Sequence, residues 1–199
     1  MRAFMTQWRP EDLIGGDAVL DFVNTVGDTD KNRDMERLVS WSDAVSWARF
    51  VKLLTPAEAA ALRTVSEEQQ ALSSLRSFRE AIHAALSARA AGSKPDDHAL
   101  RTIDTAIRRT LAVSRLSIEG ELSVWQLTSR QIDRDLIHHR LALRLLHLLS
   151  GPDLPRLREC GRCTWLFLDH GRGRGRSWCR MATCGNRAKG ERYRTSRQS

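Results

Sequence analysis

Four cysteines carry the first chemistry this sequence offers. Cys160-Gly-Arg-Cys163 is followed by Cys179 and Cys184, in the pattern C-x2-C-x15-C-x4-C. Two close pairs joined by a loop supply four soft donors, the number a tetrahedral zinc ion takes. Four thiolates leave no open coordination position. The expected cofactor is therefore one structural Zn2+ held by Cys160, Cys163, Cys179 and Cys184, and a catalytic zinc is disfavoured. A redox dithiol at Cys160-x-x-Cys163 is the competing reading, but no βαβ pattern surrounds it and the second pair is left unexplained. Gly161 is expected to let the first knuckle turn tightly. The residues after Cys184 are expected to form a helix whose dipole favours a thiolate at its start. Trp165-Leu-Phe-Leu-Asp169 reads as a short apolar strand packing under the metal. By analogy with zinc fingers, where metal binding supplies roughly 10–16 kcal/mol, Cys163→Ser is expected to unfold residues after about 156 and to spare the rest.

The same segment holds the charge. The 199 residues carry 32 Lys+Arg and 24 Asp+Glu, a net +8, and the pI is near 10.1. Residues 156–199 hold 12 Lys+Arg against 3 Asp+Glu, net +9, so residues 1–155 are close to neutral at −1. A basic terminal segment is what a polyanion binder presents. Arg172, Arg174 and Arg176 alternate with glycines, and in an extended chain would share one face. Arg180, Arg187, Lys189, Arg192 and Arg194 add charge in and around the expected helix, with Arg197 beyond. Each guanidinium can fork onto phosphate, and roughly six to ten such contacts make binding steeply salt-dependent. Arg187 and Arg194 share a helical face and are the candidates for base readout. Asn186 suits local backbone bonding that holds the knuckle. DNA is the expected partner. The alternatives are RNA and a zinc-stabilised adaptor that uses the same surface on an acidic protein. Specific DNA binding by so small a module would call for a homodimer.

Chemistry in the remaining residues is harder to find. Asp21, Asn24 and Thr25 lie in an apolar stretch and could line a small-molecule effector pocket with Trp41, Arg115 or Trp125. The bland reading is capping and interhelix hydrogen bonding. His138, His139 and His147 sit on a leucine-rich helix without a carboxylate to complete a metal or base arrangement, so core or surface histidine is the better reading. No nucleophile motif, P-loop or dinucleotide fingerprint occurs, and an enzyme is not expected.

The elements that must position these residues follow from patterning. Hydrophobic residues make up 41% and charged residues 28%, a globular composition. No apolar run approaches the ~20 residues of a membrane span. The opening MRAFMTQWRPED has no apolar core of a secretory signal, so a reducing cytoplasm is expected. Gly15-Gly16 marks a turn, and Asp17–Val26 reads as a short helix followed by a surface loop over residues 27–34. Residues 40–53 form a helix with a wide buried face. Thr55-Pro-Ala-Glu58 is a capping box opening the next, and Ser66-Glu-Glu-Gln69 repeats it ahead of Leu72, Leu75, Phe78, Ile82 and Leu86. Ser93–Asp96 starts a helix with a Leu100, Ile103, Ile107 and Leu111 stripe. Period-two alternation over Leu111–Ile118 and Glu121–Leu127 predicts a β-hairpin. Thr128 or Ser129 caps a helix from about Arg130 to Ser150, stopped by Gly151-Pro152.

Two parts of the sequence resemble known families. Cys160-x-x-Cys163-x-Trp165-x-Phe167-x-Asp169, then Arg176-x-Trp178-Cys179-x-Met181-x-x-Cys184-Gly185-Asn186-Arg187-x-Lys189, resembles the CGNR zinc finger. Gly15-Gly16 and Leu20-Asp21-Phe22-Val23-Asn24-Thr25, followed by a Trp-containing helix, are similar to the ABATE domain that accompanies it. The resemblance implies a bacterial, cytoplasmic, stress-related transcription regulator. One departure stands out: the loop after Asp169 reads His-Gly-Arg-Gly-Arg-Gly-Arg where the finger commonly has Ser or Asn. The expected fold is α+β: a predominantly helical body with one β-hairpin over residues 1–155, used for ligand binding or dimerisation. A small treble-clef/ribbon-like four-cysteine zinc module with a basic tail follows over 156–199.

Overall fold

Asp17 opens the helix at the centre of the molecule. In the computed structural model, which describes residues 6–27, 31–119, 122–128, 132–171 and 175–196, its carboxylate accepts from the Val19 amide at 2.7 Å and caps α1 (Ala18–Val23). Val19, Leu20, Phe22 and Val23 are all buried, so this short helix is covered on several sides. It ends three residues before the expected Val26. Asn24 and Thr25 leave the helix, and β1 (Val26–Gly27) pairs antiparallel with β2 (Met35–Glu36), a small hairpin whose strands bracket the stretch read as loop.

The two expected box motifs differ in outcome. A third box, Ser40 with Asp43, opens α2 (Trp41–Phe50), and of the expected two Thr55 with Glu58 opens α3 (Pro56–Leu62). Ser66 does not open α4 (Glu68–Ala90). There the chain turns back through Glu67 at φ 63°, with no side-chain cap. The rest of α4 follows its spacing, burying Leu72, Leu75, Phe78, Ile82 and Leu86 on one face. α5 (Asp97–Ala112), capped by Asp96, is rotated from the expected stripe. It buries Ala99, Ile103, Ala106 and Thr110, while Leu100 stays 42% exposed. Small alanines let α5 lie close to α4, and the Thr110 hydroxyl meets Nδ1 of His139 at 2.8 Å.

The predicted hairpin forms as β3 (Ser114–Glu119) and β4 (Leu122–Leu127), with Leu116 opposite Trp125. It starts later than Leu111, which still belongs to α5. α6 (Leu136–Ser150) also starts later than Arg130. Thr128 closes the hairpin instead of capping the helix, its hydroxyl donating to the Val113 carbonyl at 2.9 Å; Ser129 lies outside the described residues. His138 stacks on Phe78 with centroids 4.4 Å apart, the packing role expected of it.

Beyond α6, β5 (Leu157–Glu159) and β6 (Leu166–Leu168) pair antiparallel, Leu157 opposite Leu168. The last element is α7 (Asn186–Ser196), entered through a π-helical turn at Met181–Gly185. The helical core does not stop at residue 155. Leu157, Leu166 and Leu168 join the same buried cluster as α1, α4 and α6, whereas Phe167 joins a second one with the four cysteines. Successive strand residues point to opposite faces. Three residues of β6 thus form a wall shared by the helical core and the cysteine cluster. No helix among the described residues is long and apolar enough to cross a membrane.

Candidate metal centre and nucleic-acid interface

The β5–β6 turn and the entry to α7 each bring two cysteines. Cys160 and Cys163 lie in the turn, where the Cys160 amide donates to the Trp165 carbonyl at 2.9 Å. Cys184 lies in the π-helical turn, where the Gly185 amide donates to Arg180 at 3.1 Å. All four sulfur atoms are buried and lie within 4.8 Å of one another. Cys163 and Cys179 are 3.6 Å apart, and Cys179 and Cys184 3.5 Å. A tetrahedron with Zn–S bonds of about 2.3 Å has sulfur–sulfur edges of about 3.8 Å, so the set fits one zinc ion. The thiols compete when left to themselves. Hydrogen bonds from Cys163 and Cys179 hold the Cys160 thiol well below its ordinary value, while the neighbouring Cys160 pushes Cys163 and Cys179 up. Four thiolates in so small a volume need a cation among them.

The glycines here serve packing. Gly161 does not take a left-handed conformation. A Cβ on it would stand 3.0 Å from the Trp178 ring and 3.3 Å from the Ser177 carbonyl, to which its own amide lies close, donating at 2.9 Å. Close approach, not a tight turn, is what requires glycine there. Gly185 is likewise wedged between Met181 and Trp178. Asn186 donates from Nδ2 to the Ala182 carbonyl at 3.3 Å, the local backbone role expected of it.

Residues 16–152 match the ABATE family, described as "putative stress-induced transcription regulator", and residues 156–197 match the CGNR zinc finger. The chain belongs to the ABATE family. No curated protein matches it. The four-cysteine cluster of its CGNR finger fits one structural zinc ion, and the ABATE and CGNR segments meet across β6.

The eight basic residues of the CGNR finger expected to bind nucleic acid fall into three groups. Arg172 and Arg174 lie outside the described residues. Arg176 and Arg180 are engaged with the protein itself. The Arg176 guanidinium lies 4.1 Å from the centroid of the Phe167 ring, a cation–π contact over the cysteine cluster, and its amide donates to Asp169 at 2.7 Å. Arg180 is close enough to Asp12 to help hold that carboxyl below its ordinary value. Arg187, Lys189, Arg192 and Arg194 are exposed on α7, and among the described residues none of them forms an ion pair. The sole acid of α7, Glu191, is turned inward to Arg162 at 2.6 Å, which pins the helix to the first knuckle. Ala188 packs beneath, so Arg187, Lys189, Tyr193 and Arg194 share the outer half of the helix. The spacing of Arg187 and Arg194 reveals this face in the sequence, whereas nothing in the sequence marks the exposed Tyr193 within it, because its exposure depends on which side Ala188 buries.

Asp21 of α1, and Asn24 and Thr25 just after it, turn to structural partners. Asn24 Nδ2 donates to the Leu166 carbonyl and Oδ1 accepts from the Leu166 amide, both at 2.9 Å, so one side chain serves as a strand partner for β6. Thr25 donates to the Phe22 carbonyl at 2.7 Å and accepts from the buried Arg79 at 3.0 Å. Asp21 accepts from the Gly15 amide at 2.8 Å, and burial pushes its carboxyl up to about 6. The hydrogen-bonding groups of Asn24 and Thr25 are thus occupied by the protein's own backbone and by Arg79. This is the bland reading of the motif, with the added finding that it binds the ABATE segment to the finger. The Trp165 indole N–H adds a further link at 2.8 Å to the Val26 carbonyl.

Proposed function

We propose that this ABATE protein is a DNA-binding transcription regulator of the bacterial cytoplasm, a binding protein and not an enzyme. Zinc folds the finger, α7 meets the phosphates, and the helical body carries effector binding or pairing of two copies. One observation carries the reading. The outer half of α7 displays Arg187, Lys189 and Arg194 with no acidic residue among them, and the helix is fastened at its start by the cysteine cluster and along its side by Arg162–Glu191. Unpaired cations on a rigid helix suit a polyanion, since no internal partner must be displaced. Two copies related by a two-fold axis would present two such helices to two half-sites.

The test is fluorescence anisotropy of zinc-loaded protein on duplex DNA between 50 and 200 mM salt, with selection from a random pool. The expected result is a steep salt dependence and enriched sequences. The combined variant Arg187→Ala, Lys189→Ala and Arg194→Ala is expected to reduce the slope of log K against log salt by about three, near 0.9 per lost phosphate contact. Absence of binding at the lowest salt would sink the regulator reading and direct the search to acidic protein partners.

A further inference from the structure

α6 is apolar on two sides, and only one of them faces the core. Ile137, Leu141, Leu145 and Leu148 point inward, while Leu143 and Leu146 lie outside the buried cluster. A surface helix usually carries one apolar stripe. The second side is roofed in part by Val124 and Trp125 of β4, leaving a groove of about 490 Å3 between strand and helix. That volume lies within the range of small-molecule sites, which are mostly apolar with a few placed polar groups. Trp125 remains 42% exposed, although an indole of this size normally finds cover.

The polar groups of the groove say what the occupant must carry. Arg144 lines it, with His147 beside it on the helix, and among the described residues no acidic side chain lines the groove. Among the described residues Arg144 makes neither an ion pair nor a hydrogen bond. Its neighbour Arg140, one turn earlier, is bound by both carboxylate oxygens of Glu58, at 2.6 and 2.7 Å. A cation left unpaired beside an apolar slot matches a ligand with an apolar body and one anionic end, and a carboxylate fits the guanidinium fork. We infer that the groove between β4 and α6 binds an apolar monocarboxylate, its body between Trp125 and Leu143/Leu146 and its carboxylate on Arg144. That this ligand acts as an effector rests on the regulator reading; that it binds does not.

The experiment is calorimetric titration of the zinc-loaded full chain with 2-naphthoate and with decanoate, and with uncharged 2-naphthylmethanol as control. One-site saturation is expected with at least one of the acids, and binding at least tenfold weaker for the alcohol. Arg144→Gln is expected to weaken the acid about tenfold, the scale of a charge-assisted hydrogen bond. It should do so without loss of fold, since Arg144 has no hydrogen-bond or ion-pair partner among the described residues. Trp125→Ala, checked by its thermal melt, is expected to remove binding. No saturable heat with either acid overturns the proposal, as does binding unchanged in Arg144→Gln. DNA anisotropy on the same preparations reads α7 alone. Carboxylate binding without DNA binding would therefore count against the regulator reading only, and the converse against this groove only.

Discussion

Asn24 exchanges two hydrogen bonds with the backbone of a residue 142 positions away, and it is 2% exposed. Replacing it by alanine strands a buried amide and a buried carbonyl of Leu166. We expect Asn24→Ala to lower the stability by about 3 kcal/mol, from the cost of leaving such groups unpaired, measured as a lower urea midpoint. Asp21, three residues earlier, behaves in the opposite way. Burial raises its carboxyl from 3.8 to about 6. Between those values the folded state binds a proton that the unfolded state does not, so the native Asp21 costs stability at neutral pH and the cost fades as pH falls from 6 to 4. Asp21→Asn keeps the acceptor for the Gly15 amide and removes the charge. It should be more stable than the parent at pH 7, by up to about 3 kcal/mol, with the difference closing toward pH 4 in urea titrations at a series of pH values. A constant difference across that range would refute the assignment. His138 titrates with the reverse sign. Burial depresses it from 6.5 to about 4, so its neutral form supports the fold above pH 6.5 and that support is lost as pH falls toward 4.

At the scale of elements, local signals read well and distant ones did not. The cysteine knuckles were legible because each pair is set by three to five residues of chain. The capping box at Thr55 and the long face of α4 are legible for the same reason, whereas the box at Ser40 emerges only in the structure. The α5 face differs from the aliphatic stripe that the sequence suggests, because packing against α4 selects the small side chains Ala99 and Ala106 over Leu100. A hydrogen-bonding role for Asn24 is legible, but its partner is not, since nothing near it in sequence announces β6. β6 itself read as a strand under the metal, and that is half of what it does. Leu166 faces the helices, so Leu166→Ala should cost about 2–5 kcal/mol, the range for a fully buried leucine. The loss should be visible in the unfolding of the helical body, followed through the buried Trp41 and Trp47. If Leu166→Ala loosened the finger alone, the shared-wall description would be wrong.

For the whole molecule, the ABATE and CGNR segments are two families joined by one core. The expectation that loss of a zinc ligand would spare residues before 156 does not suit this arrangement. Removing the metal frees the turn between β5 and β6, and those strands hold Asn24 and the leucines of the helical core. We expect chelation of zinc to raise amide exchange in residues 157–168 and in α7, and also to lower the unfolding midpoint of the helical body. An unchanged midpoint would mean that the finger folds on its own account. The shared strand has another consequence, one of spelling. Only Thr164 and Trp165 separate the second cysteine from β6. Adding or deleting a single residue there would turn Phe167 toward the helices and both leucines toward the sulfur atoms. In-frame insertions or deletions of one codon between Cys163 and β6 should therefore be absent from working versions of this protein, while substitutions at Thr164 that preserve the count should be tolerated far better.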